Sequence, residues 1–144
     1  MKVNTLSDFV FYDNTDCGGI MYHADYITVC ERARSILFFR QDAFPCAHEF
    51  PANDGFVVKN IESHFLAPLK LGDYYEVRTQ VCAIKNTSLI LQHEIYRIKE
   101  IGSPAQAPLL TFRMSVVMVY VDRDKKPKRI PQRLRDIFSL LPAN

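Results

Sequence analysis

No apolar run in this chain is long enough to cross a bilayer as a helix; the longest, Leu109 to Val121, is broken by Arg113. The opening MKVNTLSDFVFYD lacks the continuous apolar core and small-residue cleavage site of a secretory leader, so a cytoplasmic setting is expected. Cysteine is sparse. Cys17, Cys30, Cys46 and Cys82 follow no framework spacing, and with no leader they are expected as reduced thiols. Cys46 and His48 form a C-x-H pair without a second pair at zinc spacing, so no metal site is expected. The sequence also has no G-x-S-x-G elbow, phosphate loop or G-x-G-x-x-G fingerprint, and nothing in it calls for a cofactor.

What is there fits one domain spanning residues 1–144, with 48% apolar and 24% charged residues. A chain of this length buries about two-thirds of its unfolded surface, enough for a core. Net charge is only +2, yet seven of the eighteen basic residues lie between Arg123 and Arg135. Positive charge gathered in one segment suits a single anionic ligand or a surface patch better than a nucleic-acid-coating face.

Hydrophobic periodicity sets out the elements. Asp8 to Tyr12 reads as a first strand. From Ala24 to about Arg40, Tyr26, Cys30, Ala33 and Leu37 recur at helical spacing, with Val29, Ile36 and Phe39 beside them. The polar exceptions are Thr28, Glu31, Arg32 and Ser35, so a mostly buried helix is expected. Four period-two runs follow. Phe56 to Leu66 would place Val57, Ile61 and Phe65 on one face, and Tyr74 to Ile84 sets Tyr75, Val77 and Val81 against Glu76, Arg78 and Gln80. After a Lys85–Ser88 turn, Leu89, Leu91, His93 and Ile95 alternate with Gln92 and Glu94. In the last run Leu110, Phe112, Met114, Val116, Met118 and Tyr120 share a face. Short polar turns between such runs argue for antiparallel pairing. A strand, a long helix and four more strands predict an α+β fold, a curved sheet around one central helix. Leu134, Ile137, Phe138 and Leu141 after Pro131 suggest a short closing helix.

The segment FYDNTDCGGIMYHADY, Phe11 to Tyr26, crowds Asp13, Asp16, Asp25, Cys17, His23 and the Gly18–Gly19 pair into one connection ahead of that helix. Asp16 precedes a turn that glycine tolerates best, and a carboxylate there can act as base or nucleophile. The bland alternative is that Asp13 and Asp16 only form turns, and on local grounds the two readings are about even. The backbone N–H of His23, at the helix start, could polarise a carbonyl with help from the helix dipole, although on local grounds the bland reading, a histidine packing against the turn and donating one hydrogen bond, is favoured. Asp25 reads as a cap or first-turn anion, and Cys17 as a small turn filler whose carboxylate neighbours disfavour a thiolate.

The DNTDCGGIMYHADY segment, followed by Glu31–Arg34 (ERAR), resembles the T-D-x-G-G-[VI]-[VM]-Y-H-A-N-Y…E-R-A-R pattern of hotdog-fold acyl-CoA thioesterases. The subgroup it is most similar to is the Tol–Pal-cluster thioesterases, relatives of 4-hydroxybenzoyl-CoA thioesterase. The similarity continues through Phe65–Asp73 (FLAPLKLGD) and Val119–Pro131 (VYVDRDKKPKRIP). The resemblance implies a five-stranded antiparallel sheet around one long helix, and hydrolysis of acyl-CoA to a carboxylate and free CoA. It implies Asp16 as general base or nucleophile and the His23 N–H as carbonyl donor, with Gly19 and Tyr22 of the same motif at the substrate. Lys85, Arg123, Lys125, Lys126 and Arg129 become candidates for the CoA phosphates. A homodimer or homotetramer with its site between subunits is also implied, with acyl carrier protein as a further candidate partner. Two positions depart from the pattern: Asp25 stands for the usual Asn, adding negative charge near the helix start, and Cys17 stands for Ala, Ser or Pro. The Asp25 departure keeps open an acyl-CoA or acyl-carrier-protein binding protein with little turnover. A hotdog dehydratase fits least, because Glu31 lies too far along the helix from His23.

Overall fold

A computed structural model of the protein describes residues 4–41 and 53–140. The elements run β1 (Asn4–Phe9), a single 3-10 turn (Tyr12–Asn14), α1 (His23–Arg40), β2 (Gly55–Phe65), β3 (Tyr74–Ile84), β4 (Ser88–Lys99), β5 (Leu109–Val121) and α2 (Gln132–Phe138). The five strands form one antiparallel sheet in the order β1-β3-β4-β5-β2, with α1 packed against β3 and β1. The alternation expected of β3 and β4 holds: Tyr75, Val77, Thr79 and Val81 on one strand and Leu89, Leu91, His93 and Ile95 on the other are buried. They meet Tyr26, Val29, Cys30, Ala33 and Leu37 of α1 in one core.

Four expectations need correction. β1 lies earlier than Asp8–Tyr12, because after Phe9 the Val10 N–H bonds to the Asp73 carbonyl (2.9 Å) and the chain tightens into the 3-10 turn. On α1, Phe39 is 56% exposed while Phe38 and Arg34 are buried, so the apolar arc turns by one residue near its end. In β2 a register shift between Val58 and Asn60 inserts an extra residue. Because side chains alternate, that shift puts Val57, opposite Val119, on the other face from Ile61 and Phe65. In β5 a shift opposite Ile95/Tyr96 pairs Leu110 with Tyr96 and takes Leu110 off the core face, while Thr111 is buried and donates to the Ile95 carbonyl at 2.8 Å.

The loop after β4 runs to residue 108. The closing helix forms behind Pro131, its N-cap, and buries Leu134, Ile137 and Phe138. Leu141, Cys46 and His48 lie outside the described residues. Cys17 and Cys30 are free thiols. Among the described residues no helix is long and apolar enough to span a membrane, and no cluster of His, Cys, Asp or Glu could hold a metal ion.

Candidate active site

The turn carrying Asp16 is built almost wholly from main-chain bonds. Asp16 donates its N–H to the Ile20 carbonyl (3.0 Å) and accepts from the Gly19 N–H at its own carbonyl (3.1 Å). Its side-chain Oδ1 accepts from the Gly18 N–H at 2.8 Å. Gly19 sits at φ +79°, where a side chain would be strained. At Gly18 an added Cβ would lie 3.3 Å from Asp16 Oδ1, tight enough to push the carboxylate. Both glycines thus serve the position of Asp16. One carboxylate oxygen is held by the turn, which leaves Oδ2 for chemistry.

The far side of the turn is pinned by residues 69–71. The Met21 N–H donates to the Leu69 carbonyl at 2.7 Å, and the Leu71 N–H to the Gly19 carbonyl at 3.2 Å. Leu69 also donates its own N–H to the Tyr26 hydroxyl oxygen at 3.0 Å. One fully buried residue therefore holds both the Asp16 turn and the first turn of α1.

Helix α1 begins at His23 behind Tyr22, an N-cap whose side chain makes no capping bond. The first N–H groups of a helix have no intrahelical acceptor, so the His23 N–H and the positive helix end stay available to a ligand. The His23 and Tyr22 rings lie 4.4 Å apart. Asp16 and His23 line one cavity of about 440 Å³, whose other walls are Ile20, Met21, Tyr26, Phe65, Leu66, Ala67 and Pro68. An anionic group and an uncapped helix start thus share an otherwise apolar pocket. Burial keeps the Tyr26 phenol above its ordinary pKa, with the Leu69 N–H opposing, so it remains a neutral hydroxyl.

Of the sequence candidates, Asp16, Gly19, Tyr22 and His23 gather at this turn. Cys17 is exposed and does not line the cavity. Asp25 lies in the first turn of α1, as expected of a first-turn anion; its Oδ2 accepts from Asn14 Nδ2 at 3.0 Å, and the residue lines a separate polar groove with Asp8, Asp13, Thr28, Arg32 and Tyr75. Its charge is aimed away from the cavity. Phe65 to Pro68 and Tyr26 were not singled out as site residues. Phe65–Pro68 lie in the FLAPLKLGD stretch, which carried a signal, whereas Tyr26 read as ordinary core.

The basic candidates form a second group. Arg129 Nη1 donates to Asn86 Oδ1 (3.0 Å) in the Lys85–Ser88 turn, and the Ile130 N–H bonds to the Asn86 carbonyl (3.0 Å). Arg123, Lys125 and Lys126 are exposed in the turn after β5, which Asp122 organises by accepting the Asp124 and Lys126 N–H groups at 2.8 and 3.1 Å. Those backbone bonds hold the Asp122 carboxyl below its usual range. Within one chain this group is far from Asp16. Phe65 of the cavity pairs with Phe112, whereas the basic turns adjoin Tyr120, about 26 Å further along β5 at the usual rise per residue.

Residues 10–138 match the family model of the thioesterase-like superfamily. The chain is 34% identical over 131 residues to the acyl-CoA thioesterase YbgC of Helicobacter pylori strain J99, covering 90% of this chain and 96% of that one. It is 32% identical over 126 residues to the acyl-CoA thioester hydrolase YbgC of Escherichia coli O6:H1, covering 87% of each. Among solved structures, a 1,4-dihydroxy-2-naphthoyl-CoA thioesterase from Synechocystis superposes with a TM-score of 0.81 at 17% identity over 96% of both chains, a likeness of fold alone. With its five-stranded antiparallel sheet and single long helix, the chain has the hotdog fold and belongs to the thioesterase-like superfamily.

Proposed function

We propose that this chain hydrolyses acyl-CoA thioesters to a carboxylic acid and free CoA in the cavity between the Asp16 turn and the start of α1. The observation that carries this is the shared cavity itself: a turn-held carboxylate and an uncapped helix start, enclosed by apolar side chains. Relatives named acyl-CoA thioesterases at 32–34% identity over about nine-tenths of the chain support it.

In this reading the thioester oxygen accepts the His23 N–H, and the helix dipole stabilises the negative charge that develops as the carbonyl carbon becomes tetrahedral. Asp16 Oδ2 takes a proton from the attacking water, or attacks the carbonyl itself to give a mixed anhydride that water then opens. In either case the C–S bond breaks as the tetrahedral centre collapses, and CoA leaves as thiolate. The imidazole of His23, tilted at 50° against the Tyr22 ring, has a positioning role.

The active form is a homodimer or a pair of dimers. Strand β2 is an edge strand of the sheet, and Val57, Val58, Ile61, Phe65 and Leu66 on or beside it are exposed. Antiparallel pairing of two β2 strands about a two-fold axis sets the Phe65 end of one chain beside the Gly55 end of the other. The partner's Lys85, Arg123, Lys125, Lys126 and Arg129 then approach the Asp16 cavity, where the CoA phosphates need cations. We place the reaction in the cytoplasm, in keeping with the free thiols of Cys17 and Cys30.

The test compares wild type with Asp16→Asn on an acyl-CoA panel. Loss of the base lowers the rate by roughly two to four orders of magnitude; full activity in the variant would refute the assignment. Tight binding of acyl-CoA or acyl-acyl carrier protein without turnover in the wild type would instead favour a carrier.

A further inference from the structure

Tyr26 lines the cavity that holds Asp16 and His23, and four observations fix it there. It is only 4% exposed. Its ring meets Phe65 edge-on, at 5.3 Å between centroids and 86° between planes. It also meets Phe112 at 5.1 Å, and Phe65 and Phe112 are themselves 5.0 Å apart. Its hydroxyl oxygen accepts the Leu69 N–H, the same residue whose carbonyl holds the Asp16 turn through Met21. Behind these rings lies Phe112, fully buried.

We infer that Tyr26 is the specificity-determining stop of the acyl pocket, and that it limits the substrate to compact acyl groups, short chains or single rings. This rests on the reading of the cavity as a thioester site. A chain whose carbonyl carbon is fixed between Asp16 and the His23 N–H extends along Ile20, Met21 and Pro68, and meets Tyr26 and Phe65, whose rings are edge-on to each other and backed by Phe112. No swing of Tyr26 relieves the block cheaply, because its oxygen is tied to the main chain and its ring packs against both Phe65 and Phe112. The stop is therefore fixed, and selection follows from length and width. The walls on the way in are apolar, so the acyl group is apolar next to the thioester and ends against the Tyr26 side chain.

The experiment measures kcat/KM for acyl-CoAs from acetyl to palmitoyl, together with benzoyl-CoA, for wild type, Tyr26→Leu, Tyr26→Ala and Tyr26→Phe. Wild type is expected to fall steeply beyond medium chain length. Shortening the side chain should raise the ratio of decanoyl-CoA to butyryl-CoA activity at least tenfold, more for Ala than for Leu. Tyr26→Phe keeps the ring and loses the Leu69 bond, so it should retain the wild-type length profile and melt at lower temperature. If Tyr26→Ala does not fold, Tyr26→Leu and Phe65→Leu read the same shift. An unshifted profile in folded Tyr26→Leu and Phe65→Leu, or a wild type that favours palmitoyl-CoA, overturns the inference. Asp16→Asn separates the two readings: it should depress every chain length alike. A shift with Tyr26 alongside full activity in Asp16→Asn would leave the stop standing and remove the base.

Discussion

A methyl group at Gly18 would press on Asp16 Oδ1 from 3.3 Å, whereas one at Gly19 meets nothing within 4 Å and is resisted only by its backbone angle of φ +79°. The two neighbouring glycines should therefore fail differently. Gly18→Ala should lower kcat about tenfold by displacing the carboxylate, at little cost in stability. Gly19→Ala should cost about 1 kcal/mol or more of folding stability, seen as a lower denaturation midpoint. A second residue-scale prediction concerns His93. It is fully buried, with Nδ1 2.8 Å from Thr79 Oγ1, and burial together with the nearby Arg34 charge pushes its pKa down to about 3. Between that value and the unfolded value near 6.5, the unfolded chain binds the proton and the native one does not. Stability should thus be full above about pH 6.5 and fall as pH drops toward 3, by about 2 kcal/mol at pH 5. Urea midpoints at pH 7 and pH 5 check this, and His93→Gln should flatten the difference. The Asp16 turn was legible in the sequence because glycine demands a reason. The direction of Asp25 was not, since its Asn14 partner lies across a turn whose geometry no spacing rule gives.

The strands that alternate most regularly, β3 and β4, were read correctly because the period of two decides which side of a pleat is buried. Strand β2 was misread at Val57. One extra residue near Lys59 reverses the sides, and a bulge leaves no mark in a pattern already mixed with polar residues. The same strand carries the assembly prediction. Ile61→Lys, or Val58→Lys, places a charge on the unpaired edge and should shift the protein toward monomer in sedimentation. Activity should fall with dissociation and recover in part at higher protein concentration, while the far-ultraviolet circular dichroism stays unchanged. The long helix was legible in its start and in its end at Arg40. The face it buries near that end was not, because Phe38 and Phe39 are equally apolar and only the fold chooses which one faces inward.

At the scale of the molecule, the core closes at one end on Tyr26, Phe65 and Phe112, and at the other on Phe38, Phe56, Tyr120 and Phe138. Phe138 of α2 completes the second cluster, meeting Phe38 and Phe56 edge-on, and a 2.6 Å ion pair from Lys128 to the buried Asp54 ties the start of β2 to the same end. Phe138→Ala should cost about 3–5 kcal/mol, the range for emptying a large buried ring, and leave the chain-length profile untouched. The order of elements told the architecture in advance. Their separation along the sheet could not be read, because distance between sequence-remote turns appears only once strands are in register.

That separation has a consequence for mixed assemblies. If each site takes its carboxylate from one chain and its cations from another, two crippled proteins can repair each other. Asp16→Asn co-refolded with a Lys85→Ala/Arg129→Ala chain would yield hybrids carrying one doubly damaged site and one intact site. Random pairing of equal amounts then restores about a quarter of wild-type activity at low substrate from two nearly inactive parents. A chain that held its whole site alone would show only the average of the two.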